Sequence, residues 1–215
     1  MASGRLGASV SSGTSTTNVY EVPSGKTAEV NVNVYNGAGS GAIAKVTLFR
    51  SPTSTASATH TIQLDTVASN SGYERTALVL GAGEWISYKT DQIGVVVTVN
   101  GVEYTSNSNE IKQQELITTN TETVIYTNAS GKAGTVNISV SLVDGSALGD
   151  SAACSLYISS TNAAGGYQLH KYTITGSGVT GFEKTGLPIS ATDKVILVTT
   201  GIVGQVATTV QGYSK

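Results

Sequence analysis

A chain of 215 residues with 12% charged residues and a net charge of −2 has no basic stripe able to hold a phosphate backbone, so nucleic acid is not expected as a partner. Its one cysteine, Cys154, excludes an intrachain disulfide and a cysteine-built metal cluster, and reads as a small buried apolar residue. No apolar run approaches the ~20 residues that cross a bilayer, and MASGRLGASVSSGTSTT lacks the apolar core of a signal peptide. These features predict no membrane association, synthesis in a cytoplasm, and no glycan at Asn128 or Asn137 despite their sequons.

Residues 1–17 are small and polar, a composition that buries too little apolar surface to order itself. They are expected to be an arm held by a partner or a first edge strand. Strands are then predicted at 18–22, 28–35, 42–50, 59–67, 74–80, 84–90 and 93–104. The marks between them are Pro23-Ser24-Gly25, the glycine-rich 36–41, Ser51-Pro52-Thr53, 69–72 and Gly81-Ala82-Gly83. Short strands at roughly ten-residue spacing with such turns indicate a β-sandwich or barrel. Residues 107–118 read as a linker or as the first strand of a second unit.

The chain then repeats itself. VYEVPSGKTAEVNVNV at 19–34 returns as VIYTNASGKAGTVNISV at 124–140. Val30, Val32 and Val34 share one face of a period-2 ribbon, with Asn31 and Asn33 on the other, the pattern of a strand packed on one side. Tyr73-Glu74-Arg75-Thr76-Ala77-Leu78 is matched by Phe182-Glu183-Lys184-Thr185-Gly186-Leu187. Residues 81–90 align with 191–200, which sets Trp85 against Val195, and Thr98-Val99-Asn100-Gly101 aligns with Thr209-Val210-Gln211-Gly212. The reading is all-β, two tandem β-sandwich domains of immunoglobulin-like or jelly-roll-like type related by duplication, at 18–106 and 119–215.

Chemistry-bearing patterns are sparse. Residues 37–42, GAGSGA, lack the following helix whose N-terminus would hold a phosphate, and read as a hairpin connection. His60 and His170 have no nucleophile or orienting carboxylate at a recognisable spacing and no metal-ligand pattern around them, so no catalytic role, metal or cofactor is expected. Glu74, Arg75, Glu183 and Lys184 are retained by the repeat and are read either as interface anchors or as carboxylates closing a turn onto backbone amides. Arg5, Leu6 and Val10 are the interface candidates in the N-terminal segment. Trp85, Tyr88 and Tyr104, with Tyr157, Tyr167 and Tyr172 behind them, are the rings on which a sugar face would stack.

MASGRLGA at 1–8, VYEVPSGKTA at 19–28 and YERTALVLGAGE at 73–84 together resemble a group of virion structural proteins of tailed bacteriophages, particularly T4-like and cyanobacterial phages. The resemblance covers about the first 104 residues well and the second unit loosely, where Ala129 replaces Pro23 and Thr192-Asp193-Lys194 is set against Ala-Gly-Glu. It implies a non-enzymatic virion component assembled in a bacterial cytoplasm, with capsid or other virion proteins as partners and many copies per particle. A decoration or cement protein on the outer head is the expected role. A neck, tail, baseplate or fibre component and a carbohydrate-binding adhesin are the alternatives.

Overall fold

The computed structural model describes residues 2–39, 41–105, 110–143, 147, 149–178 and 180–214. Met1, Ser40 and 106–109, on which parts of the arm, loop and linker expectations fall, lie outside the described residues. The chain divides into two compact units, Met1–His60 with Leu64–Ser108 and Thr61–Gln63 with Asn109–Lys215.

The first eight strands are β1 (Ser3–Val10), β2 (Thr17–Glu21), β3 (Lys26–Asn36), β4 (Ala44–Ser51), β5 (Thr61–Val67), β6 (Gly72–Leu80), β7 (Trp85–Thr90) and β8 (Val95–Thr105). They form two antiparallel sheets ordered β1-β8-β3-β6 and β2-β7-β4-β5. The next eight are β9 (Glu110–Ile117), β10 (Glu122–Thr127), β11 (Gly134–Leu142), β12 (Ser151–Ser159), β13 (Tyr167–Thr175), β14 (Gly181–Ile189), β15 (Lys194–Val203) and β16 (Val206–Ser214). Their sheets run β9-β16-β11-β14 and β10-β15-β12-β13. Counting each unit from its own first strand, the two orders are identical. Eight antiparallel strands shared between two sheets in this order make a jelly roll, and the chain contains two of them in tandem.

The seven strand intervals expected in the first unit all carry strands. Both open alternatives resolve to strand. Residues 3–10 pair antiparallel with β8 from Ser3 opposite Val102 to Val10 opposite Val96. Composition argues against order there, but the ladder supplies what side chains do not: β8 satisfies the backbone polar groups on the inner side of this edge strand. Ser11 continues the hold, its hydroxyl donating to the Gln92 carbonyl at 2.8 Å and accepting the Val95 amide at 2.9 Å. Likewise Glu110–Ile117 pairs with β16.

The valine face of the repeated ribbon is the core face. Val30, Val32 and Val34 are at most 2% exposed, and so are their counterparts Val136, Ile138 and Val140. Burying each such side chain contributes about 1.5–3 kcal/mol, an upper value for the smaller valine. Facing them in the first unit are Leu48, Leu64, Ile86 and Tyr88, and in the second Cys154, Leu156, Ile174 and Leu197, all at most 1% exposed.

The repeated Thr-small-Leu block proves to be a bulge. Val30 pairs with Leu78 and Val32 with Arg75, so Thr76 and Ala77 together oppose Asn31. In the second unit Val136 pairs with Leu187 and Ile138 with Lys184, leaving Thr185 and Gly186 opposite Asn137. Ala77 and Gly186 have φ of 55° and 65°, the left-handed region that favours a residue with little or no side chain. The amide exposed by each bulge is captured by asparagine: Ala77 N–H donates to Asn31 Oδ1 at 2.9 Å and Gly186 N–H to Asn137 Oδ1 at 2.7 Å. A further pair of bulges matches between Asn18 and Tyr20 and between Val124 and Tyr126.

Close approach fixes a second repeated residue. A Cβ on Gly101 would lie 2.2 Å from the Glu29 carbonyl oxygen, and one on Gly212 would lie 2.0 Å from that of Thr135. Asn31→Ala is expected to cost about 0.5–1.5 kcal/mol by removing this solvent-exposed hydrogen bond, and Gly101→Ala more, because backbone atoms must move. Urea denaturation of the two variants checks both values and their order.

Candidate functional site

The repeated acid that closes a turn is not the one the sequence matching indicated. The Gly81 amide donates to Glu84 Oε2 at 2.6 Å, while the Ser190 amide donates to Asp193 Oδ2 at 2.7 Å. Each turn has the same backbone bond, from Glu84 N to Gly81 O and from Asp193 N to Ser190 O. Each also has a left-handed third residue, Gly83 at 75° and Thr192 at 66°. Gly81-Ala82-Gly83-Glu84 therefore corresponds to Ser190-Ala191-Thr192-Asp193, one residue away from the alignment of 81–90 with 191–200. Glu21 faces Trp85 and Thr127 faces Lys194. The counterpart of Trp85 is thus Lys194, and Val195 is that of Ile86. The acid of the Ala-Gly-Glu turn is retained as Asp193.

In the first unit alone this acid also holds a buried cation. Arg50 Nη2 lies 2.8 Å from Glu84 Oε1 and 3.0 Å from Oε2, with the arginine side chain 2% exposed and the glutamate 16%. Register places Ile158 where Arg50 stands, since Arg50 faces Ile86 and Ile158 faces Val195.

Of the retained polar block, Glu74 is exposed opposite Asn33, whereas Arg75 faces inward beside Val32 and is 3% exposed. Burial pulls the Arg75 pKa down to about 10, partly offset by Tyr73. Glu183 and Lys184 are half-buried. Glu74 thus presents a side chain outward, and Arg75 does not.

On β1, Arg5 is exposed opposite Asn100, Leu6 sits half-buried at the bulge between Arg5 and Gly7, and Val10 is 59% exposed. A Cβ on Gly7 would come within 2.3 Å of the Val19 carbonyl oxygen, so a glycine there lets this edge close onto β2. Together Arg5 and Val10 give the outer edge one cation and one apolar contact.

The aromatic set separates in the same way. Tyr88 is 0% exposed and its ring has no open face, while Trp85 and Tyr104 are half-buried. The sequence carries the signal for Tyr88, which shares period-2 parity with the buried Ile86. Tyr157 is half-buried, with its hydroxyl donating to Gln168 Oε1 at 3.2 Å; Tyr167 and Tyr172 are 81% and 40% exposed. His170 stacks parallel to Tyr172 at 6.0 Å and edge-on to Phe182 at 4.7 Å, and burial and Lys184 both lower its pKa. His60 Nδ1 accepts the Ser57 amide at 3.1 Å across a single 3₁₀ turn, Ala58–His60. Both histidines thus have local packing or turn-closing work.

Asn36 explains the glycine-rich connection. It is 0% exposed; its amide donates to the Ala42 and Val67 carbonyls at 3.0 and 2.8 Å, and its Oδ1 accepts the Ala38 amide at 3.0 Å. That network anchors a loop leading into a strand. Among the described residues no group of three or more His, Cys, Asp or Glu side chains is placed to hold a metal ion, and no helix is long and apolar enough to cross a membrane.

The fold and its surfaces define a tandem jelly-roll protein whose outward features are sheet edges and a sheet face. No family model and no curated protein matches the chain. Among solved structures, a chain described as the STIV MCP is similar over all of this chain and 94% of its own, with a TM-score of 0.31 and 6% identity. Two further chains, from the atomic structure of Sulfolobus Turreted Icosahedral Virus and from a structure of the triple jelly roll fold and turret assembly in an archaeal virus, give TM-scores of 0.26 at 13% and 11% identity. This chain spans 58% of the length of each of those two. At such scores the likeness carries no functional weight, and the jelly rolls are defined by their own strand order.

Glu84→Ala strips a buried guanidinium of its carboxylate and is expected to cost about 3–5 kcal/mol. Asp193→Ala removes only a turn contact and should cost about 1 kcal/mol; chemical denaturation of the two variants tests the contrast. Cys154 is 0% exposed, and burial pushes its thiol up to about 12 from 9.0. The folded chain therefore holds this proton more tightly than the unfolded one does, which adds stability present below about pH 9 and lost as pH rises toward 12. A disulfide reagent at neutral pH should modify Cys154 only after denaturant is added.

Proposed function

We propose that this chain is a non-enzymatic structural component of a tailed-bacteriophage particle, a decoration protein seated on the outer surface of the head. The observation that supports it most is the repetition of one eight-stranded jelly roll in the same strand order, an architecture used by viral capsid domains. The sequence likeness of the N-terminal 104 residues to phage virion proteins narrows that choice, since a fold alone does not assign a role. Two further features suit the task. Charge is sparse over the whole chain, and β1 is a sheet edge whose outer side bears the exposed Val10 and Arg5. Such an edge pairs readily with a neighbouring chain unless it is covered.

In this reading many copies follow the symmetry of the particle, and each buries at least about 1,000 Å² against its neighbours. Gold-labelled antibody against the chain should mark the heads of purified particles. Labels confined to the neck or tail would move the protein there, and its absence from purified particles would overturn the reading. Replacing Arg5 and Val10 by glutamate should lower incorporation several-fold while leaving the circular dichroism spectrum unchanged.

A further inference from the structure

The outer face of the β1-β8-β3-β6 sheet carries a groove of about 390 Å³ lined by Glu29, Asn31, Asn100, Gly101 and Val102. Register explains the grouping: Glu29 lies opposite Val102, and Asn31 opposite Asn100, on two hydrogen-bonded strands. Glu29 and Asn31 are exposed, Asn100 is half-buried, and Val102 is 39% exposed.

The polar atoms have defined free valences. Asn31 Oδ1 is occupied by the Ala77 amide, which leaves its NH₂ group to donate. Asn100 Nδ2 donates to Thr98 Oγ1 at 3.4 Å, which leaves its Oδ1 to accept. Glu29 brings a carboxylate that accepts only. A donor and two acceptors therefore surround an apolar isopropyl group. Among the described residues no cation lines the groove itself. Arg5, exposed opposite Asn100 on the neighbouring β1, is one cation at its margin, offset by the Glu29 carboxylate. The groove is therefore not built for phosphate or carboxylate, and a single carboxylate with one free amide oxygen is too few ligands for a hard metal ion. Groups that both donate and accept, set close together on a body with an apolar face, satisfy all of these valences at once. Vicinal hydroxyls on a pyranose ring are such groups. Tyr104 follows Val102 on the same face of β8 by strand parity and is half-buried, so it extends the apolar floor.

We propose that this groove binds a neutral saccharide unit, with Glu29, Asn31 and Asn100 meeting its hydroxyls and Val102 and Tyr104 lying against its C–H face. The second jelly roll supplies an internal comparison. Thr135 stands in the place of Glu29, and Gln211 and Tyr213 in those of Asn100 and Val102. The carboxylate is gone, and Gln211 is 1% exposed. The arrangement belongs to the first unit.

The test is titration of the full chain with glucose, galactose, mannose and N-acetylglucosamine, followed by calorimetry and by amide NMR. One shallow subsite should give millimolar affinity for at least one of these sugars, with the resonances of Asn31, Asn100 and Val102 moving. Glu29→Ala, a change at an exposed side chain, should weaken binding about tenfold. Val102→Tyr, which installs the second unit's side chain, should abolish it with the dispersed spectrum retained. Trp85→Ala should leave affinity unchanged. Should Val102→Tyr fail to fold, Glu29→Ala decides alone. The proposal is overturned if none of the four sugars binds, if Glu29→Ala leaves the affinity unchanged, or if inorganic phosphate moves the same resonances in their place.

Discussion

One hydrogen bond, made twice, sets the geometry on which each sandwich depends. Asn31 and Asn137 reach across from a central strand and hold the extra residue of an edge strand in a left-handed conformation. Because side chains alternate with a period of two, a single unpaired residue would reverse which face of β6 or β14 meets the core unless the bulge absorbs it at a fixed place. With the bulge pinned, Leu78 and Leu187 are set opposite Val30 and Val136 on one side of it, and Arg75 and Lys184 opposite Val32 and Ile138 on the other. The retained pattern of aromatic, glutamate, cation, threonine, small residue and leucine is chiefly the trace of this device.

Around that shared frame the two jelly rolls diverge in their polar interiors. Both close the turn before their seventh strand with an acid on a backbone amide. Only the first places an arginine beneath it, where the second has Ile158. A buried ion pair is weak evidence for stability, because desolvation offsets much of the attraction, so the isoleucine can serve the same position. What Arg50 adds is dependence: its carboxylate cannot be removed cheaply. The outer faces diverge as well, with Glu29 and Val102 replaced by Thr135 and Tyr213.

Much of the strand framework was legible because valine alternation and Gly/Pro/Asn turns are local signals. The strand at Ser3–Val10 was less so, since its order comes from a ladder to β8, some ninety residues away, and not from its own apolar content. The slip at 81–90 has a similar origin. Gly-Ala-Gly-Glu and Ser-Ala-Thr-Asp look unlike as letters, yet share a left-handed third position and an acid at the fourth, an equivalence carried by backbone geometry and not by apolar letters. Arg75 was unreadable as an inward residue because nothing in the sequence announces a bulge. Tyr88 was readable from its parity with Ile86. The Glu29–Val102 groove depends on cross-strand register, which one strand's sequence does not contain.

The tandem arrangement has a practical corollary in its single indole. Trp85 lies at the start of β7, beside the turn that Glu84 closes, and the chain has no other tryptophan. Its emission therefore reports from within the N-terminal module, so one optical channel can time the loss of that half of the molecule and be set against a signal from the whole chain.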